Sequence, residues 1–252
     1  MARPLVRLLL LLSACMFISN LITAEDDEAA LLAFKAAAPR WFHPSIAGNL
    51  SSLMSLELSV NQLEGSIPAS LGVLKDLRYL GLAINNLSGE PPVSLYNLSS
   101  LGTLQIQSNL LNGSIPTDIG KRFPSMQLLA LDVNQFTGPI PPSVSNLTSL
   151  QALRFGLNSF SGYVPRTLGR LRAMQYLDLA RNTLEADDRE GWEFITSFSN
   201  CSQLRRLDIT GNNAFTGHLP SSMVNLSTTL QLLGFGATGI KHPLRHRQSG
   251  GP

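Results

Sequence analysis

Apolar residues fall along this chain at offsets that are irregular within one unit and then repeat in the next. Residues 53–68 read Leu-x-x-Leu-x-Leu-x-x-Asn-x-Leu-x-Gly-x-Ile-Pro, and the same order returns with conservative exchanges at 77–92, 101–116, 126–141 and 150–165. The polar landmark is an asparagine, at Asn61, Asn85, Asn109, Asn134, Asn158, Asn182 and Asn212. Its step is nearly constant, with one longer interval between Asn182 and Asn212. In the second unit Leu74, Leu77, Leu80, Leu82, Leu87 and Leu95 are the apolar positions. Leu80 and Leu82 are two apart, so they share one face of a short strand and Gly81 takes the other.

A unit of this length cannot bury its own leucines. Stacking sets Leu80 between Leu56 and Leu104, and the core becomes continuous only when several units are present. The pattern therefore predicts an α/β chain folded as a right-handed leucine-rich-repeat solenoid. Short parallel strands form its concave face, and 3₁₀ or extended segments form its convex face. Each landmark asparagine stands where the chain turns out of the strand, where its amide can bond backbone groups of its own turn and of the neighbouring one. The seven make a buried ladder. The Gly-x-Ile-Pro element recurs at Gly65–Pro68, Gly113–Pro116 and Gly138–Pro141, with variants at Gly89–Pro92, Gly162–Pro165 and Gly217–Pro220. Its Gly permits a backbone angle closed to other residues, and its Pro blocks an ordinary helix.

These residues resemble the extracellular domain of plant leucine-rich-repeat receptor-like kinases, in particular the immune-type group with Gly-x-Ile-Pro repeats. Asp26–Lys35 looks like that family's N-terminal capping helix, and the segment Leu184–Cys201, which lengthens one step of the ladder, looks like its irregular repeat. The resemblance implies four parts: a leader over 1–24, a capping helix over 25–40, seven repeats with a degenerate eighth over 41–240, and a disordered tail over 241–252. It also implies departures. The family's Trp and cysteine pair after the capping helix are missing, Thr238 stands in the eighth ladder slot, and the chain stops before a transmembrane or kinase part.

Composition narrows the setting. Arg3 and Arg7 precede an apolar run to Ile22, then Thr23-Ala24 and four acidic residues, the pattern of a cleaved signal peptide. Secretion is the expectation, with an uncleaved N-terminal anchor as the alternative; nothing later reaches membrane length. Removing the leader takes two of 19 basic residues and leaves the body balanced against 17 acidic ones, which argues against a nucleic-acid or anionic-membrane binder. Of two cysteines, Cys15 lies in the leader, so Cys201 is expected to be a buried, unbridged thiol. Seven Asn-x-Ser/Thr acceptors, at Asn49, Asn86, Asn97, Asn112, Asn146, Asn200 and Asn225, predict N-glycosylation, and none is a ladder asparagine.

Catalytic chemistry finds no foothold. Gly234–Gly239 spells G-x-G-x-x-G but lacks the helix and lysine that nucleotide binding needs. Asp187–Glu190 lacks the ligand spacing of a calcium loop and reads as a helix cap, with Trp192, Ile195 and Phe198 facing inward. No enzyme, cofactor or metal is expected. The remaining candidate is a surface. Slots flanking the strand leucines place Asp132, Arg154, Tyr176, Asp178, Arg181, Arg206 and Asp208 in a mixed-charge concave patch over repeats four to seven, with Tyr79 nearby and repeats two and three bland. The expected function is a non-catalytic extracellular module, with a role in plant defence, that recognises a peptide or protein, with a co-receptor ectodomain as a second partner. The alternatives are a soluble inhibitor of a cell-wall-degrading hydrolase and a receptor fragment without function. Within the patch, Asp–Arg self-pairing competes with ligand binding.

Overall fold

The computed structural model describes residues 50–187 and 190–240. The leader, the capping helix, the Asn49 acceptor, Asp188, Arg189 and the tail all lie outside the described residues.

Two eight-stranded parallel sheets run the length of the solenoid. The first contains β1 (Ser55–Glu57), β3 (Tyr79–Gly81), β5 (Thr103–Gln105), β7 (Leu128–Ala130), β9 (Ala152–Arg154), β11 (Tyr176–Asp178), β13 (Arg206–Asp208) and β15 (Leu232–Gly234). Its register pairs Leu56 with Leu80 and Leu80 with Leu104, the stacking that the leucine spacing predicts. The extended segments after each ladder asparagine are more ordered than expected, because they pair into a second parallel sheet. Its strands are β2 (Glu64–Gly65), β4 (Asn86–Gly89), β6 (Leu110–Ser114), β8 (Gln135–Pro139), β10 (Ser159–Tyr163), β12 (Thr183–Ala186), β14 (Ala214–Gly217) and β16 (Gly239–Ile240). Short 3₁₀ segments and one helical turn, Ile119–Arg122, close the convex side.

The apolar positions of all units merge into one core. Where the second-sheet slot holds phenylalanine, the rings stack: Phe136 on Phe160 at 6.3 Å and Phe155 on Phe160 at 5.0 Å, contacts worth about 1 kcal/mol each beyond area burial. The long step between Asn182 and Asn212 is filled by the helix Glu193–Ser197 and the 3₁₀ turn Phe198–Asn200. Trp192, Ile195 and Phe198 are buried there, and Trp192 Nε1 donates to the Thr216 carbonyl at 3.1 Å. The capping role expected of the acidic run is not seen among the described residues: Trp192 is the N-cap, without a side-chain cap bond, and Asp188 and Arg189 lie outside them. Asp187 instead accepts a hydrogen bond from the Tyr163 hydroxyl at 2.9 Å. Cys201 is buried and free, and burial pushes its thiol up to about 11.

Each ladder amide serves two repeats. Asn85 Nδ2 donates to its own Leu82 and Ala83 carbonyls at 3.0 and 3.2 Å and to Leu58 of the preceding repeat at 3.0 Å. Its Oδ1 accepts from Leu63 N–H at 3.0 Å. Asn109, Asn134, Asn158 and Asn182 repeat this set, and Asn212 donates to Leu179 and Ile209 and accepts from Leu184. For Asn61 the bonds within its own turn are present, to Leu58 and Ser59. The residue before each asparagine is left-handed: Val60, Ile84, Ser108, Val133, Leu157 and Arg181 have φ between 53° and 58°, and Gly211 takes the position in the seventh repeat at 76°. That conformation costs roughly 1–2 kcal/mol for an L-residue, and the ladder bonds hold it in place.

The eighth repeat keeps both strands but not the ladder. Thr238 donates to the Phe235 carbonyl three residues back, at 2.9 Å, within its own turn. Leu233 is 38% exposed, whereas its equivalents Leu177 and Leu207 are fully buried. Amides after Leu230 should therefore exchange with solvent deuterium faster than those around Leu129; equal protection at the two places contradicts this account.

Candidate interaction surface

The first sheet sets its outward side chains in rows about 5 Å apart, one row per position in the repeat. Cα register aligns Ala130, Arg154, Asp178 and Asp208 in one row and Ala152, Tyr176 and Arg206 in the next. Of the expected patch residues, Arg154, Tyr176, Asp178, Arg206 and Asp208 lie on these rows, while Asp132 and Arg181 follow their strands by two and three residues.

Their pairing is less simple than their order. Arg154 neighbours Asp178 in register, yet its guanidinium turns to Asp132 of the preceding repeat, with Nη2 2.8 Å from Oδ2. Asp178 is engaged otherwise: its Oδ1 accepts the Ala180 N–H at 3.0 Å, folded over Gly156. Asp208 Oδ1 accepts the Thr210 N–H at 3.1 Å, and its Oδ2 meets Arg206 Nη2 at 3.0 Å. Two of the three patch arginines are thus paired within the chain. Arg181 is exposed and forms no salt bridge among the described residues. Tyr176, which starts the strand of the same repeat, is 42% exposed.

The acids differ electrostatically. Burial raises the Asp132 carboxyl above the usual carboxylate range, against the opposing pull of the Arg154 charge. Burial also works to raise Asp208, but hydrogen bonds from Thr210 and Arg206 outweigh it and hold that carboxyl low. Asp132 Oδ1 and Gln107 Oε1, which belong to adjacent repeats, are buried acceptors without a hydrogen-bond donor. A raised carboxyl means the native state binds more protons than the unfolded chain just above the ordinary carboxylate pKa, so stability falls as pH rises through that window. Asp132→Asn removes this cost, and Arg154 is exposed enough to be solvated alone. Urea midpoints measured from roughly pH 4 upward should show the variant gaining on the parent as pH rises; a constant difference refutes the assignment.

Two readings of the neighbouring surface are corrected. Tyr79 lies outside the patch: it is two repeats, about 10 Å, from that of Asp132 and four, about 20 Å, from Tyr176 along the sheet. Nor are the first repeats bland. The Tyr79 hydroxyl donates to the Glu57 carboxylate, and the Gln105 amide oxygen lies 3.0 Å from it. Burial pushes the Tyr79 phenol up, with help from Glu57. Hydrogen bonds from Ser59 and Tyr79 lower Glu57 despite its burial. The signal was present in the strand-start slot, which aligns Tyr79 with Tyr176 and Arg206.

A lateral groove of about 740 Å³ lies between the inserted helix and the seventh repeat. Four of its polar groups pair with one another: Arg166 with Glu193 at 2.8 Å, and Thr196 with Ser222 at 2.7 Å. Among the described residues no group of His, Cys, Asp and Glu is arranged to hold a metal ion, and no helix is long and apolar enough to cross a membrane.

Comparison with known proteins follows the same lines. A family model described as a leucine-rich repeat region matches residues 31–242. The LRR receptor-like serine/threonine-protein kinase EFR of Arabidopsis thaliana is 40% identical over 77 residues, which are 31% of this chain and 7% of that protein. The plant peptide hormone receptor RGFR1, solved in complex with RGF2, superposes with a TM-score of 0.70 at 30% identity, covering 79% of this chain and 34% of its own. The Arabidopsis receptor kinase HAESA, solved with the peptide hormone IDA and the co-receptor SERK1, gives 0.67 at 32% identity, over 78% of this chain and 32% of its own. The chain therefore spans a minor part of each of these proteins.

Proposed function

The chain belongs to the leucine-rich-repeat family, and on that premise we propose that it is an extracellular, non-catalytic binding module whose concave face over repeats four to seven takes a peptide or protein ligand. A co-receptor ectodomain is the second partner in this reading. The observation that carries it is the sixth repeat. Arg181, Tyr176 and the second carboxylate oxygen of Asp178 offer a cation, an aromatic ring and an anion, while the flanking arginines are tied up in Arg154–Asp132 and Arg206–Asp208 pairs. Such a site suits an extended segment that presents a carboxylate to Arg181 and an N–H donor to Asp178. The peptide-bound state of the neighbouring receptors RGFR1 and HAESA supports a ligand of this class.

The reading is tested by panning a random peptide library on the immobilised chain. Peptides enriched on the parent should lose roughly tenfold or more in affinity, about 1.4 kcal/mol, on an Arg181→Glu, Tyr176→Ala double variant of unchanged circular dichroism. Equal binding to both proteins rejects the patch.

A further inference from the structure

Six acceptor asparagines fall within the described residues, and all six are exposed. Their placement is not scattered. Asn97, Asn146, Asn200 and Asn225 are each the last residue of a 3₁₀ segment, namely Leu95–Asn97, Pro142–Asn146, Phe198–Asn200 and Ser221–Asn225. These segments belong to repeats two, four, six and seven, and they occupy one side of the solenoid, opposite the concave sheet. Asn86 and Asn112 lie instead on the second sheet.

The unit that precedes each of the first three sites is built to make room. Repeats one, three and five carry Gly72, Gly120 and Gly169 in the matching segment, against backbone of the next repeat. A Cβ on Gly120 would lie 2.8 Å from the Cβ of Asn146, so the glycine lets the acceptor-bearing repeat pack closely. Arg122, at the end of that same turn, donates from Nη1 to Asn97 Oδ1 at 3.0 Å. This bond holds the amide by its oxygen and leaves Nδ2, the atom that is glycosylated, unengaged. Asn200 Nδ2 donates to Ser197 O at 3.3 Å, a bond that the N–H remaining after glycosylation can keep.

We propose that N-linked glycans stand in a line along this face at Asn97, Asn146, Asn200 and Asn225 and close it to protein partners. At each site Nδ2 attacks C1 of a lipid-linked oligosaccharide: the N–C1 bond forms, the C1–O bond to the polyprenyl diphosphate breaks, the amide gives up one proton, and the diphosphate leaves. A standard protein footprint of about 800 Å² is roughly 30 Å across. Glycans on repeats two, four, six and seven, about 10 Å apart or less at the strand spacing, leave no such area free between them. Partners are then confined to the concave face and the flanks.

The proposal rests on the reading that the chain is secreted, and the test separates the two. The full chain is translated with microsomes. Protease protection reports translocation, and release of glycans in ¹⁸O water followed by mass spectrometry reports each site. Protected chain should carry the ¹⁸O mark at all four asparagines; protected chain unmarked at two or more of them overturns the proposal. If the chain is not protected, the secretion reading fails, and the sites are scored with the same criterion on the chain behind a cleavable heterologous leader. Shielding is read at Lys121, whose turn touches both Asn97 and Asn146. Its labelling by a bulky amine-reactive polymer should rise several-fold in a Ser99→Ala, Thr148→Ala variant, which removes both acceptor motifs and retains both asparagines. Unchanged labelling shows that the face stays open.

Discussion

An Asn182→Ala variant loses about 3 kcal/mol of stability, at the top of the range for orphaning buried polar groups. Asn182 is buried and its Oδ1 is the acceptor for Phe160 N–H at 2.9 Å. Its Nδ2 reaches Phe155, Leu179 and Ala180 at 3.0, 3.1 and 3.3 Å. The carbonyls of Phe155 and Leu179 keep a second donor, from Asn158 and Asn212 respectively. The Phe160 amide has no comparable substitute, so most of the cost falls there. Asn182→Asp retains an acceptor for Phe160 but turns a carboxylate toward carbonyl oxygens, and it should be at least as damaging near neutral pH and partly recover in acid. Urea unfolding gives the magnitude, and hydrogen exchange at Phe160 gives the place. A loss below about 1 kcal/mol with Phe160 still protected removes the ladder from the account.

Gly120→Ala costs about 3 kcal/mol, the upper end for overpacking. Its Cβ would overlap the Ser143 carbonyl oxygen and approach Asn146, and this backbone cannot rotate away as a side chain would. Two controls separate crowding from backbone conformation. Gly102→Ala places its Cβ 3.4 Å from Ser125 O, which is tight but tolerable. Gly162 has φ of 73° and nothing within 4 Å, so Gly162→Ala carries only the left-handed penalty of roughly 1–2 kcal/mol. If all three variants melt alike, close repeat packing is not what selects glycine at position 120.

Much of this was legible in the chain because the repeat makes register a matter of arithmetic. An unvarying step sets Leu56, Leu80 and Leu104 side by side, and the structure pairs them so. The inserted helix followed from the one long step. What escaped was the choice of partner among the charged side chains, which depends on side-chain direction rather than on position. Arg154 pairs with Asp132 rather than with its register neighbour Asp178, one oxygen of which accepts the Ala180 amide. The second sheet escaped for a related reason: two- to five-residue strands around a Gly with positive φ have no alternation long enough to read. The left-handed residues were hidden too, since Val60, Ile84 and Val133 are β-branched types that local preference places elsewhere.

Each ladder asparagine binds its own turn and the turn immediately before it, and no further. A repeat therefore has the same two neighbours wherever it stands in the series. Duplication or excision of one whole unit can leave the ladder bonds at every junction in place while it alters the length of the inner surface by about 5 Å. A gain of other length is tolerated where it loops out of the ladder, as the inserted helix Glu193–Ser197 does between Asn182 and Asn212. Ligand reach in such a molecule can accordingly be inherited in discrete increments, with the contacts that stabilise the fold passed on intact.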